Sequence, residues 1–234
     1  MTDISSVRDG IDAIDDALLK LINQRLELAK SLRQLKPKDR AAWAPDREHK
    51  LLQRLLDHKS PNYPPETLVA MWSALIACSL LGQGPLVILS GSANMQALGE
   101  AAFPGASHLP LDPDNWQQQI IDTPGAIGVM AYPDPDNIWW SELQQDEAAL
   151  RVQTCLPKWP PDQRKAVCIS SGTAPVRPGQ VGWFIYDAAD DLPATTRQIA
   201  SANGRVLVEE HIEAQDDNRI SLGNFFASLQ GEIS

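Results

Sequence analysis

Six side chains in the first third of this sequence have the types and spacing to line a polar pocket, Arg25, Lys36, Arg47, Glu48, Ser79 and Gln83, and Arg8 is a further candidate. Arg25 interrupts a run of apolar residues recurring at three- and four-residue steps, Ile4, Val7, Ile11, Ile14, Leu18 and Leu21 before it, Leu28, Leu32 and Leu35 after it. A guanidinium keeps its proton and is unfavourable to bury without an anion. Lys36 comes 11 residues later, which at about 100° per residue returns it to nearly the same face. Two cations therefore share one apolar stripe. On a second helical stretch Glu48 stands in line with Leu52 and Leu55, and Arg47 in line with Leu51. On a third, Ser79 continues the line of Leu68, Trp72 and Leu75, and Gln83 follows one turn later. A single such group could pair with an acid of a neighbouring helix and only fix register. Five or six of them on inner faces, each needing a partner, describe instead a pocket for a multiply anionic, oxygen-rich small molecule. Arg8 is 17 residues from Arg25, about 25 Å along a helix. It is either a solvated surface residue or a group supplied to that pocket by a second copy of the chain.

Three helices must carry these groups. The apolar seam of residues 4–36 is a heptad pattern, that of one long helix packed on other helices. Pro37 ends it, because the residue before a proline avoids helical geometry. After the loop PKDRAAWAP a second helix is expected over about 46–58, and after SPNYPP a third from Pro65 to about Gln83. Beyond Gly84 the texture changes to short β-type runs alternating with helical ones, among them PLVILSG, SANMQALGEAAF, GAIGVMAYP, LRVQTCLP, KAVCISS and VGWFIYD. The expected architecture is therefore multidomain: an N-terminal all-α three-helix domain over 1–84 and a small α/β domain over 85–234. In the tail, VGWFIYD, LPATTRQIASAN and RVLVEEHI read as strand, helix and strand. Trp139 and Trp140 read as packing or domain-interface residues, with an aromatic-ligand site as the alternative.

Net charge is −10, unevenly spread. Residues 1–83 hold 12 Lys and Arg against 11 Asp and Glu, and residues 84–234 hold 8 against 19. The acidic second part argues against nucleic acid and anionic membranes as partners, while the balanced first part tolerates a small anion. No apolar run reaches membrane-spanning length, and the N-terminus lacks a secretory pattern. The three cysteines, Cys78, Cys155 and Cys168, have no metal-ligand spacing and read as reduced core thiols of a cytoplasmic protein. No metal and no cofactor is expected.

The stretches VRDGIDAIDDALLKLINQRLELAKSLRQLK, DREHKLL and SLLGQ together resemble the all-helical class of chorismate mutase, an intertwined three-helix homodimer. The resemblance implies an isomerase of aromatic amino acid biosynthesis that converts chorismate to prephenate. It implies that Arg25, with Arg8 from the neighbouring subunit, holds the two substrate carboxylates. Lys36 and Gln83 would bind the ether oxygen whose bond breaks, Glu48 would accept from the ring hydroxyl, and Arg47 and Ser79 would complete the pocket. The chain departs from the family pattern in a loop one residue short between its first two helices, and in Ala44, where an aspartate is usual. A [3,3] rearrangement needs neither proton shuttle nor nucleophile. It needs the substrate held in its diaxial conformer and preorganised donors at the ether oxygen, each worth on the order of 3–4 kcal/mol.

Residues 85–234 resemble a degenerate prephenate dehydratase or regulatory domain, without the dehydratase Thr-Arg-Phe triplet, and are expected to be non-catalytic. Two alternatives stay open. One is isochorismate–pyruvate lyase on a related helical dimer. The other is a non-catalytic helical dimer that binds a metabolite of the same pathway.

Overall fold

The computed structural model describes residues 3–35, 42–58, 63–143, 150–160, 162–172, 179–188, 190–212, 220–226 and 229. Helix α1 spans Ile4–Leu35, α2 Pro45–Asp57 and α3 Pro65–Leu81. Both α2 and α3 open on a proline, which costs nothing at a position whose N–H has no helical partner. Neither has a side-chain N-cap; at α2 that position is Ala44, whose carbonyl still accepts from the Arg47 and Glu48 amides.

No residue of α1 is fully buried. It rests on α3 through the half-buried stripe Ile22, Arg25, Leu26, Ala29, Leu32 and Arg33. The seam read from the sequence lies mostly elsewhere on the helix: Ile4, Val7, Ile11, Ile14, Leu18 and Leu21 are each 50–70% exposed. Helix α3 in turn leaves Met71, Ala74, Cys78 and Leu81 exposed at helical spacing. The expectation that Cys78 is a core thiol is corrected here; Cys155 and Cys168 are buried.

The remainder is an α/β unit built on two sheets. Strands β1 (Val87–Ser90), β2 (Ser107–Pro110), β3 (Ala126–Ala131), β4 (Leu150–Leu156) and β5 (Ala166–Ser171) form a mixed sheet in the order β2-β1-β3-β5-β4. The first three are parallel, joined through α4 (Ala93–Ala102) and α5 (Trp116–Asp122), and β5 runs antiparallel to both its neighbours, β3 and β4. Strands β6 (Val181–Asp187), β7 (Arg197–Ala202), β8 (Arg205–His211) and β9 (Ile220–Phe225) form an antiparallel sheet in the order β7-β8-β6-β9.

The first sheet is the middle layer. Its side chains alternate between two cores, as the two-residue period of a strand requires. Ile88, Ile127, Val129, Leu156, Ala166 and Cys168 face Trp43, Phe103 and the α3 residues Ile76, Ala77 and Leu80. Leu89, Met130, Val152, Val167 and Ile169 face α5 and the second sheet, with Trp183, Leu207 and Phe225. Coverage on both faces explains why these strands read as continuous apolar runs. Where β9 crosses β4, Gly223 has a positive φ of 149°, and a Cβ there would run into the Val152 carbonyl.

The expected helix over LPATTRQIASAN is corrected: its second half is strand β7, hydrogen-bonded to β8. The two are joined by Asn203 (φ 53°) and Gly204 (φ 72°), both in the left-handed region a two-residue hairpin needs. The Asn-Gly pair overrides whatever helical preference the preceding residues carry. Strands β2 and β9 had no clear sequence signal, β2 lying in a proline-rich stretch and β9 carrying a glycine.

Candidate active site

The polar groups of α1 and α3 meet as one row. Arg25 reaches from mid-α1 onto α3, where Nη1 donates to the Leu75 carbonyl at 2.9 Å and to Ser79 Oγ. Ser79 Oγ donates to the same carbonyl at 2.8 Å. One turn on, Gln83 Nε2 donates to the Ser79 carbonyl at 3.0 Å. Ser79 and Gln83 follow the apolar line of α3, whereas Arg25 reaches them from the half-buried stripe of Ile22, Leu26 and Ala29, beside the exposed seam of Leu21 and Leu28. Gln83 Oε1 is buried and has no hydrogen-bond partner among the described residues. A buried amide with half its capacity unused is an unmet demand, and since the two ends of an amide are interchangeable by rotation, it can offer a ligand either a donor or an acceptor.

The electrostatics of the row are one-sided. Burial lowers the Arg25 pKa, and the nearby Arg47 guanidinium lowers it further. Arg47 itself is exposed on the first turn of α2. Among the described residues no carboxylate forms a salt bridge with Arg25. Two guanidiniums near each other, neither salt-bridged to a carboxylate among the described residues, make a site that favours an anion.

Glu48 lies on a different side of α2 from this row. It is 6% exposed. One carboxylate oxygen accepts from Trp43 Nε1 at 2.9 Å and the other from Lys158 Nζ, in the β4–β5 connection. The same ammonium donates to the Ala102 carbonyl at 3.2 Å and lies 4.8 Å over the Phe103 ring. The pair borders the Cys168 thiol, whose pKa is raised by burial. The expected acceptor for a ring hydroxyl is thus occupied at both oxygens by groups of the protein. Periodicity placed Glu48 on an inner face, but that face packs against the α/β unit.

Lys36 falls outside the described residues. Arg8 is exposed near the start of α1, more than four turns from Arg25, so one chain does not bring these two together. Sequence reasoning missed Lys158. It carries no local signal, and it meets Glu48 across 110 residues of chain.

A second polar group of side chains ties the two sheets. Glu209 accepts from Arg164, from Trp183 Nε1 at 3.1 Å and from Arg197 at 3.3 Å, and Arg197 also reaches the Tyr132 hydroxyl at 3.3 Å. Its members satisfy one another, which is the signature of a structural network. Among the described residues no group of three or more His, Cys, Asp or Glu is placed to hold a metal, and no helix is long and apolar enough to cross a membrane.

Residues 7–84 match the family model of chorismate mutase type II. Over 85 residues the chain is 31% identical to the bifunctional chorismate mutase/prephenate dehydratase of Aquifex aeolicus (strain VF5), an alignment covering 34% of this chain and 24% of that protein. The chain thus spans about a quarter of the length of the curated relative it matches. A solved structure of GqqA, described as a novel type of quorum quenching acylase, is 13% identical and covers 60% of this chain and 94% of its own. Its TM-score of 0.36 is too low to establish a shared fold. It is thus the helical third that is similar to chorismate mutase type II, a family of isomerases.

Proposed function

We propose that this chain rearranges chorismate to prephenate in aromatic amino acid biosynthesis. One observation carries the reading. Within the segment that matches the mutase family, Arg25 and Arg47 stand near each other with no carboxylate salt-bridged to Arg25 among the described residues, beside an amide with unused hydrogen-bonding capacity. That arrangement suits a dicarboxylate whose reaction involves no proton transfer. In this reading Arg25 and Arg47 hold carboxylate oxygens in forks that select the compact conformer. Gln83 turns its amide N–H toward the ether oxygen, and Lys36 joins it as second donor. Negative charge developing on that oxygen is stabilised by donors already in place. Ser79 holds Arg25 in position. Glu48 enters through the placement of α2.

The working unit is a homodimer. The open apolar seam of α1 and the exposed stripe of α3 are more uncovered surface than a monomer ordinarily carries. A second copy of α1 covers them and carries its Arg8 to the opposite site. The three free cysteines fit a cytoplasmic setting.

The test is the loss of chorismate absorbance on adding the full chain, with prephenate identified as product. No turnover at micromolar protein removes the reading. Formation of pyruvate from isochorismate with chorismate untouched replaces it with a lyase. Mixing separately inactive Arg8→Ala and Arg25→Ala chains restores one working site per heterodimer. No recovery, with subunit exchange verified, removes Arg8 from the site.

A further inference from the structure

The α/β unit grips the first turn of α2 at three points around Arg47. Asp46 Oδ1 accepts from Gln180 Nε2, at the start of β6, at 2.7 Å. Glu48 is paired with Lys158, the two side chains 5% and 9% exposed. His49 stacks on Phe226 at the end of β9, centroids 4.4 Å apart and planes within 7°. Arg47 is the exposed residue left between these anchors, and it is the one whose charge reaches Arg25. Each anchor comes from outside the segment that matches the mutase family.

Of the three, the Lys158 contact is the least yielding. Asp46 and Gln180 meet through a hydrogen bond to a neutral amide, and the His49 stack is a contact between flat faces that can slide. The Glu48–Lys158 pair is desolvated and braced on every side. Trp43 occupies the second Glu48 oxygen and itself packs edge-on against Phe103, with centroids 5.2 Å apart. Lys158 is held by the Ala102 carbonyl and the Phe103 face. A buried pair of this kind is weak as a source of stability but specific in geometry, because either charge left alone in the core is strongly unfavourable.

We infer that Lys158, a residue of the α/β unit, is a positioning residue of the mutase site: by pairing with Glu48 it sets the first turn of α2 and so aims Arg47 at the anion held by Arg25. The inference rests on the proposed mutase reading and deepens it. It assigns the second domain a part in substrate binding that involves no ligand of its own. It also accounts for Glu48, which serves the site from behind rather than by touching substrate. Because Arg47 binds the ground state and transition state alike, its misplacement is expected in KM more than in kcat.

The experiment uses the full-length dimer and initial rates with chorismate, comparing Lys158→Met in the natural background with Lys158→Met in an Arg47→Ala background. The expected result is a KM raised about 10- to 100-fold in the first, the scale on which a small misplacement acts, with kcat within about 3-fold. In the Arg47→Ala background the same change moves KM less than about 2-fold, because the residue it acts through is gone. Lys158→Arg, which keeps the charge, recovers most of the KM. Should Lys158→Met alone lose its fold in a urea melt, the charge-neutral pair Glu48→Gln/Lys158→Met replaces it in both backgrounds with the same expectation. An equal KM increase in both backgrounds, or an unchanged KM, overturns the inference. A higher kcat/KM overturns it too, by showing that Lys158 withholds Glu48 from substrate. Wild-type chain without chorismate turnover overturns the mutase reading itself, so the two failures are told apart.

Discussion

Replacing Arg25 by methionine should separate activity from stability. The side chain makes two hydrogen bonds, both to uncharged acceptors, the Leu75 carbonyl and Ser79 Oγ. Losing them removes about 1 kcal/mol each. Against that, the fold holds the guanidinium half-buried near Arg47, and both effects disfavour its charge. A methionine on the same seam buries its thioether without that penalty. The balance at fixed protomer concentration is a change in unfolding free energy within about 1 kcal/mol. A guanidinium whose role was to neutralise a buried acid would behave otherwise, its removal costing about 3–5 kcal/mol. For activity, removing one partner of a desolvated charge pair with substrate raises the barrier by about 2–5 kcal/mol, or roughly 30- to 5,000-fold in kcat/KM. The assay is a urea melt of wild type and Arg25→Met at equal concentration, alongside chorismate turnover. A destabilisation of about 3 kcal/mol or more, or turnover within a few-fold of wild type, refutes the assignment of Arg25 as an anion ligand.

Wild-type kcat/KM should be nearly flat from about pH 6 to 8, since Gln83 donates through a neutral amide and the guanidiniums keep their protons. Gln83→Glu should convert that profile into one falling as pH rises, because only the protonated carboxyl donates; a variant that stays flat takes Gln83 out of its role. His49 has its pKa lowered to about 4, first by burial and then by Lys50, with Glu48 opposing. The fold therefore accepts its neutral form: the contribution is complete above the unfolded value of about 6.5 and is lost as pH falls from there through about 4. The difference in urea midpoint between wild type and His49→Phe should grow across that window by the equivalent of about 1–2 kcal/mol, allowing for solvent screening of a partly exposed ring. Parallel midpoints for the two proteins would show that His49 does not contribute.

The three helices were legible because each part of the signal is local. Prolines mark the starts, and apolar spacing marks the faces. The second helix, expected over about 46–58, is Pro45–Asp57, and the third, expected to about Gln83, ends at Leu81. Ser79 and Gln83 follow the apolar line of α3 for the same reason, but Arg25 meets them from a stripe beside its seam, since Leu21 and Leu28 face outward. Glu48 shows the limit of that argument. Periodicity tells which residues are turned inward but not toward which neighbour, and helix α2 has two inward neighbours, α3 on one side and the α/β unit on the other. Only the chain's return at residue 158 decides between them. Strand β7 was misread for a different reason. Its own residues are polar and ambiguous, while the decisive Asn203–Gly204 pair lies just beyond it and acts on both flanking segments at once. The open seam of α1 was legible as apolar, but its cover lies in no part of the described chain.

The core shared between α3 and the middle sheet also sets the order of events while the protein is being made. Ile76, Ala77 and Leu80 leave the ribosome ahead of the strands they pack against, and the last of those strands supplies Ala166 and Cys168. At about 5–20 residues per second of synthesis, the interval from residue 80 to residue 168 lasts roughly 4 to 18 s. During it the three helices have one apolar flank whose partners are not yet made, and Glu48 waits for Lys158. Any early pairing of α1 with another nascent copy takes place on helices whose second flank is still open. The helices therefore precede their partners by seconds, and their second flank is closed only once β5 has been made.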